Sequence, residues 1–226
     1  MPELLLHHGS DHIVRAPVFG AGRARNDYGM GFYCTEHLDM AREWAVEESR
    51  SGYANSYAFD DSGLTWLNLN GEDYTVLHWL SVLLQNRTFD LPAPLPYEAR
   101  EYLIAAFPTP YTEADVIRGY RADDSYFSFA QDFLNGLISL QQLERAMRLG
   151  NLGEQVVIKS PAAFERLSFQ GAEFVPHEEW YPRRSARDSA ARRAYFDRER
   201  NRRSPGDLFI LQILDEEMKP DDPRLR

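Results

Sequence analysis

Cysteine is almost missing from this chain of 226 residues. Its single cysteine, Cys34, excludes an internal disulfide framework and a cysteine-rich zinc site. We expect Cys34 to be a small core residue, since free cysteine is among the most buried residue types. The six histidines show no metal-ligand spacing with carboxylates, so no metal site is predicted.

Long apolar runs are missing as well. No stretch approaches the roughly 18 apolar residues that a membrane-spanning helix needs, and the first residues lack the basic and apolar segments of a secretory signal. We therefore expect a soluble, cytoplasmic protein with no membrane partner. A hydrophobic fraction of 43% without repeats or an internal linker is typical of one globular domain, here residues 1–226.

Positive charge is scarce over most of the chain. The net charge of −10 argues against broad non-specific binding to nucleic acid, which needs clustered lysine and arginine. The exception is the arginine-rich segment 183–203, which has nine arginines and three acids and favours a long helix. Besides a plain solvated helix, three functions stay open for it: binding an acidic groove of a partner protein, binding nucleic acid, or docking against the chain's own acidic face.

The Rossmann glycine fingerprint is absent, and strands and helices alternate without βαβ regularity. This order predicts an α+β fold built on two small sheets with flanking helices. Ser139 and Gln142 are spaced as a capping box, and Ser160-Pro161 is typical of a helix start. Periodicity predicts strands over 3–8, 53–59, 64–69, 116–120, 155–159, 167–175 and 208–214, with 53–59 and 64–69 paired, and helices over 38–49, 74–85, 97–107, 126–135, 140–149 and 183–203.

Two short motifs in the first 45 residues carry candidate binding groups. In His8-Gly9-Ser10 the glycine lets a flat ring approach the main chain, whose N–H and C=O match the two polar groups of an amide. Tyr33, within Gly-Phe-Tyr-Cys-Thr, and Trp44, on the helix that follows, supply two aromatic faces. An aromatic face attracts a cationic ring by roughly 0.5 to 2 kcal/mol.

A third motif, Glu154-Gln155-Val156-Val157-Ile158 after Gly153, places an acid at the start of a strand. A carboxylate beside a developing cation stabilises mainly the transition state, which lowers the barrier. Alternation sends Glu154 and Gln155 to opposite faces of the strand, so only one of them lines a site. We favour Glu154, because stabilising a developing cation needs a negative charge. Gln155 is the alternative, and a site lined by Gln155 would lack the catalytic acid.

In this order the three motifs resemble the signature of ADP-ribosyltransferases of the diphtheria-toxin and poly(ADP-ribose) polymerase type, which split NAD at the nicotinamide–ribose bond. The resemblance implies their split β-sandwich fold and the catalytic residues His8, Tyr33 and Glu154. His8 would bind ribose, Gly9 the carboxamide, and Tyr33 with Trp44 the nicotinamide. Arg23 and Arg25 would clamp the pyrophosphate through forked hydrogen bonds. The implied NAD-binding residues are His8, Gly9, Ser10, Tyr33, Trp44, Arg23 and Arg25.

The whole chain is more similar still to the bacterial DUF3990 proteins, a family grouped with ADP-ribosyltransferases. The matching stretches are His8-Gly9-Ser10, 27–35, 115–124, and 155–158 with 163–165, so the similarity covers about residues 4–175. It implies a mono-ADP-ribosyltransferase that uses NAD as substrate, modifies an unknown protein or nucleic acid, and has a small antitoxin protein as partner. The alternatives are an NAD glycohydrolase, or an inactive module that binds NAD, ADP-ribose or a partner.

Overall fold

The computed structural model describes residues 3–91, 93–122, 124–149 and 154–225, without the side chains of residues 124 and 125. Within these ranges the chain forms seven strands and eight α-helices. The strands are β1 (Leu4–Ser10), β2 (Phe32–Cys34), β3 (Gly52–Phe59), β4 (Trp66–Asn68), β5 (Val116–Tyr120), β6 (Glu154–Ile158) and β7 (Leu167–Val175). The helices are α1 (Leu38–Ala45), α2 (Val76–Asn86), α3 (Pro94–Ala106), α4 (Asp124–Leu134), α5 (Leu140–Ala146), α6 (Pro161–Phe164), α7 (His177–Ala194) and α8 (Ile210–Asp215).

The strands form two small sheets, which confirms the α+β prediction. The first sheet is antiparallel with the order β1-β3-β7, and the second has the order β2-β6-β5-β4, with β4 parallel to β5. One pair of residues joins them: His7 N–H donates to Thr35 O at 2.8 Å, and Thr35 N–H donates to His7 O at 2.9 Å. Beyond this pair β1 and β2 have no further ladder bonds, so a gap opens between them.

Helix α1 lies directly on β1 and β3, and glycine makes this close approach possible. A Cβ atom on Gly9 would lie 2.1 Å from Ala41 O, and one on Gly52 would lie 2.0 Å from Ala45 O. No side chain fits at such distances. Gly9 of the His-Gly motif therefore allows α1 to pack closely on β1, in addition to the amide-binding role predicted from the sequence.

Three hydrophobic clusters are found among the described residues. One of them packs α1 and α7 on the first sheet, and the other two, both larger, involve the second sheet. The larger of these two cores gathers α2, α3, α4, α5 and α8 against one face of the second sheet, and α2 is buried along nearly its whole length around Trp79. The smaller core lies between the sheets. It contains Leu6, Cys34, Phe59, Val116, Val156, Ile158 and Ala163, which confirms Cys34 as a core residue.

Several local predictions are confirmed. Ser139 and Gln142 form the predicted capping box of α5, and the hydroxyl of Ser160 accepts a hydrogen bond from Ala163 N–H at the start of α6. Strand β7 has the predicted bounds. None of the helices in the described ranges is long and apolar enough to cross a membrane.

Four other local predictions are wrong, two of them only in the bounds of a helix. Residues 53–59 and 64–69 were expected to pair, but β4 joins the other sheet beside β5. Residues 208–214, expected to be a strand, include most of α8, whose Ile210 and Ile213 face the helical core. Helix α1 ends at Ala45 rather than residue 49. The arginine-rich helix begins earlier than expected, as α7 at His177, and continues into a π-helical turn over Tyr195–Glu199.

Candidate functional site

A cavity of about 780 Å³ opens beside the gap between β1 and β2. Its walls come from the end of β1, the loop that connects β1 to β2, strand β2, helix α1 and the start of β6. This volume lies within the usual range of small-molecule sites. The residues predicted from sequence that line it are His8, Gly9, Ser10, Tyr33, Trp44, Arg23 and Gln155.

The His8 side chain bridges the two strands where they part. Its Nδ1–H donates to Tyr33 O at 2.7 Å, and its ring packs on the Phe32 ring with 4.3 Å between centroids. Burial lowers the pKa of His8 below its ordinary value of 6.5, so the ring is neutral at pH 7. Since Nδ1 carries the proton, Nε2 is left as an acceptor for a hydroxyl group.

The main chain of Gly9 faces the gap. Backbone polar groups two residues apart point to the same edge of a strand. The N–H and C=O of His7 bond to Thr35 on the β2 side, so those of Gly9 point to that side as well. Because β2 has separated from β1 at this level, Gly9 presents one donor and one acceptor to the cavity, the pair that recognises an amide.

Tyr33 is held rigidly by its hydroxyl. The hydroxyl donates to Gly29 O at 2.6 Å and accepts from Tyr28 N–H at 3.0 Å. Burial raises the pKa of Tyr33 well above its usual range, so the phenol stays neutral. With both hydrogen-bonding roles of the hydroxyl used, Tyr33 offers the cavity an aromatic face rather than a proton.

The ring of Trp44 is already in contact with a planar cation, the guanidinium of Arg121. The Arg121 guanidinium carbon lies over the Trp44 ring, 4.7 Å from its centroid. The indole Nε1 of Trp44 is buried with no hydrogen-bond partner among the described residues. The polar contact that Trp44 makes is thus through its ring face, which attracts positive charge.

The third motif is oriented opposite to our preference: Gln155 lines the cavity and Glu154 does not. Strand pairing explains this, since Gln155 shares a face of the second sheet with Val157, which pairs with Tyr33. Glu154 lies on the other face, where its Oε1 accepts from Asn70 Nδ2 at 2.8 Å and its Oε2 lies 3.5 Å from Arg118 Nη1. The expected inward acid at this strand is thus an amide. Gly153 lies outside the described residues.

The buried carboxylate of the cavity is Asp27, which sequence reasoning missed. Its Oδ2 accepts from Gln155 Nε2 at 2.7 Å and from Ala122 N–H at 2.9 Å, and its Oδ1 accepts from Arg87 Nη1 at 2.9 Å. Burial raises the pKa of Asp27, while these donors and the charge of Arg87 oppose the increase. Asp27 stood in the stretch 27–35 that was matched from sequence, but no spacing rule linked it to Gln155.

A comparison with protein families matches residues 4–169 to a family described as "Protein of unknown function (DUF3990)". The chain belongs to the DUF3990 family. No curated protein and no solved structure matches it. The DUF3990 match covers β1 to β6 and every cavity residue discussed so far, whereas α7 and α8 lie beyond it.

The cavity of this DUF3990 protein is rich in arginine. Of the two arginines predicted to clamp a pyrophosphate, Arg23 lines the cavity and Arg25 does not. The segment 120–129 contributes Arg121 and Ala122 to the wall, whereas Tyr126 is a core residue. Among the described residues, no group of three histidine, cysteine or acidic side chains could hold a metal ion. Arg121 and Arg184 line the cavity as well, together with Arg50 and Arg87, which sequence reasoning missed.

Proposed function

We propose that this DUF3990 protein binds NAD in the cavity between β1, β2 and α1, and that its two sheets form the split β-sandwich of ADP-ribosyltransferases. The observation that carries the proposal is that His8, the Gly9 main chain, Tyr33 and Trp44, from three separate segments, line one cavity. A neutral acceptor, an amide-binding main chain and two aromatic faces suit the ribose, the carboxamide and the cationic ring of the nicotinamide nucleoside.

In this arrangement the nicotinamide ring stacks between Tyr33 and Trp44 and takes the ring face that Arg121 now covers. Its carboxamide accepts from Gly9 N–H and donates to Gly9 C=O. Nε2 of His8 accepts a hydrogen bond from a ribose hydroxyl. Each group is used in the protonation state that its surroundings impose, since burial keeps His8 and Tyr33 neutral.

The reaction that we propose is mono-ADP-ribosyl transfer to a protein or nucleic-acid acceptor. The bond between ribose C1′ and the nicotinamide nitrogen breaks, and its electron pair leaves with nicotinamide. A nucleophile of the acceptor then attacks the cationic C1′ and loses its proton. Gln155 takes the role that the sequence suggested for Glu154. Its Nε2 donates to Asp27 Oδ2, and no described residue donates to its Oε1. This oxygen can therefore accept a hydrogen bond from the ribose 2′-hydroxyl. A small antitoxin partner belongs to the same proposal.

A second candidate is an NAD- or ADP-ribose-binding module without turnover. Gln155 favours it, because an amide supplies no net charge to the cationic transition state. Asp27 is also fully engaged with three donors. If water replaces the macromolecular acceptor, the same site is an NAD glycohydrolase.

Two measurements test these proposals: NAD affinity by titration calorimetry, and nicotinamide release with and without cell lysate. We expect Trp44→Leu to weaken NAD binding by about 2- to 30-fold, the range of an aromatic–cation contact. We expect Gln155→Ala to abolish release and Glu154→Gln, on the opposite face, to preserve it. Thermal unfolding of each variant controls for folding.

The outcomes separate the candidates. Loss of release in Glu154→Gln with retention in Gln155→Ala would overturn the role given to Gln155. NAD binding without release, with or without lysate, would leave the binding module. Stimulation by lysate would indicate a macromolecular acceptor, and failure of the wild type to bind NAD would refute the proposed ligand.

A further inference from the structure

The arginine-rich segment is anchored to the rest of the chain through α7. Nε of Arg187 donates to Oε2 of Glu43 on α1 at 2.7 Å, and these side chains are only 16% and 11% exposed. Nη1 of Arg184, one turn earlier, donates to Val46 O at 3.0 Å just after α1. Of the functions left open from the sequence, the contact with Glu43 matches docking against an acidic face of the chain itself.

This docking brings Arg184 to the wall of the cavity. The Val46 carbonyl bond uses one of the five N–H donors of its guanidinium. No carboxylate pairs with Arg184 among the described residues. Arg184 therefore brings to the cavity a positive charge that forms no ion pair with a described carboxylate, along with most of its hydrogen-bonding capacity.

Two other arginines of the cavity, Arg87 and Arg50, differ in this respect. Arg87 forms an ion pair with Asp27 at 2.9 Å, and Arg50 forms ion pairs with Glu47 at 2.7 Å and Asp11 at 3.3 Å. Asp11 and Asp27, the acids that line the cavity, are thus already engaged. The charge that remains for a ligand is positive, and it includes the half-buried Arg184 as well as the exposed Arg23.

We propose that Arg184 binds the pyrophosphate of the dinucleotide, so that the arginine-rich helix is part of the ligand site. The planar guanidinium fork fits two phosphate oxygens at once, which makes arginine the usual residue for such contacts. Sequence reasoning gave this role to Arg23 and Arg25 on the loop between β1 and β2. The inference rests on the proposed NAD function, and it extends the site beyond the family match, which ends at residue 169.

The test compares NAD with nicotinamide riboside, which has the same nicotinamide and ribose but lacks the pyrophosphate and the adenosine. Titration calorimetry with Arg184→Gln should show NAD affinity lowered by about 10- to 100-fold, the range of a charge-assisted hydrogen bond. Nicotinamide riboside affinity should stay within about twofold. Arg184→Lys, which keeps the charge but loses the fork, should give an intermediate NAD affinity.

Arg183→Gln is the matched control. Arg183 is the adjacent residue on α7, its side chain is 57% exposed, and it pairs with Glu179 outside the cavity. The inference is overturned if Arg183→Gln weakens NAD as much as Arg184→Gln does, if Arg184→Gln weakens both ligands equally, or if it weakens neither. If the wild type binds neither ligand, the proposed function itself fails, which is a different result.

Discussion

Gln155 donates its side-chain amide to the carboxylate of Asp27 across 2.7 Å, inside the cavity and between residues 128 positions apart in the chain. This contact explains why an amide occupies the inward position of β6. A glutamate there would set two carboxylates side by side, and the pKa of one would have to rise strongly. Gln155 is therefore the partner that the buried acid Asp27 requires.

The first prediction concerns the pH dependence of Asp27. Burial raises its pKa above 3.8, so the native state keeps a proton that the unfolded chain has already lost. Its contribution to stability is complete below about pH 3.8 and is lost as pH rises through the native pKa. The free energy of unfolding of the wild type minus that of Asp27→Asn should therefore fall as pH increases, as measured by urea unfolding between about pH 3.5 and 7.

The exposed Asp73→Asn controls for the removal of one negative charge. An advantage of the wild type that grows with pH would contradict this prediction. It would mean that the donors around Asp27 outweigh its desolvation and that its native pKa lies below 3.8.

The second prediction concerns the close packing of α1 on β1. Gly9→Ala places a Cβ 2.1 Å from Ala41 O, so the helix must shift away from β1. We expect a loss of at least about 1 to 3 kcal/mol in the free energy of unfolding, as for overpacked cores. Gly71→Ala, whose Cβ would lie 3.3 Å from Asn68 O, is the milder control. Equal stability of the two variants would show that α1 does not contact β1 this closely.

The third prediction concerns the contact between α7 and α1. Arg187→Ala leaves the buried Glu43 carboxylate without its guanidinium partner, which should cost about 1.5 to 3 kcal/mol in urea unfolding. Arg183→Ala removes an ion pair whose side chains are 57% and 51% exposed, and should cost less than about 1 kcal/mol. A loss as small as that of the control would show that α7 is not held by this pair.

The fourth prediction concerns Cys34. It is fully buried between the sheets, and burial raises the pKa of its thiol well above the usual range. Because the thiolate is the reactive form, a disulfide reagent such as Ellman's should label no thiol in the native protein at pH 8. It should label one per chain in denaturant, since Cys34 is the single cysteine. Rapid labelling of the native protein would place Cys34 at the surface.

Much of the fold could be read from the sequence because it depends on neighbours along the chain. The capping box of Ser139 and Gln142 and the bounds of β7 need only local periodicity and local hydrogen bonds. The strand at 208–214 failed because a short apolar run does not distinguish a strand from a buried helix, and α8 packs on the helical core.

The residues of the candidate site likewise fall into two groups: those that could be predicted from the sequence and those that only the structure brings to the cavity. From the sequence, His8, Gly9, Tyr33 and Trp44 were assigned to one site through their resemblance to a known order of motifs, and these residues do line one cavity. Tertiary structure alone decided that Gln155 rather than Glu154 faces the cavity. Both faces of β6 are covered, one by the smaller core at Val156 and the other by the larger core at Val157. The apolar pattern of the strand therefore does not indicate which of its faces lines the cavity. Tertiary structure also decided that Asp27 and Arg184 reach the cavity, since contacts across more than 100 residues leave no periodic trace in the chain.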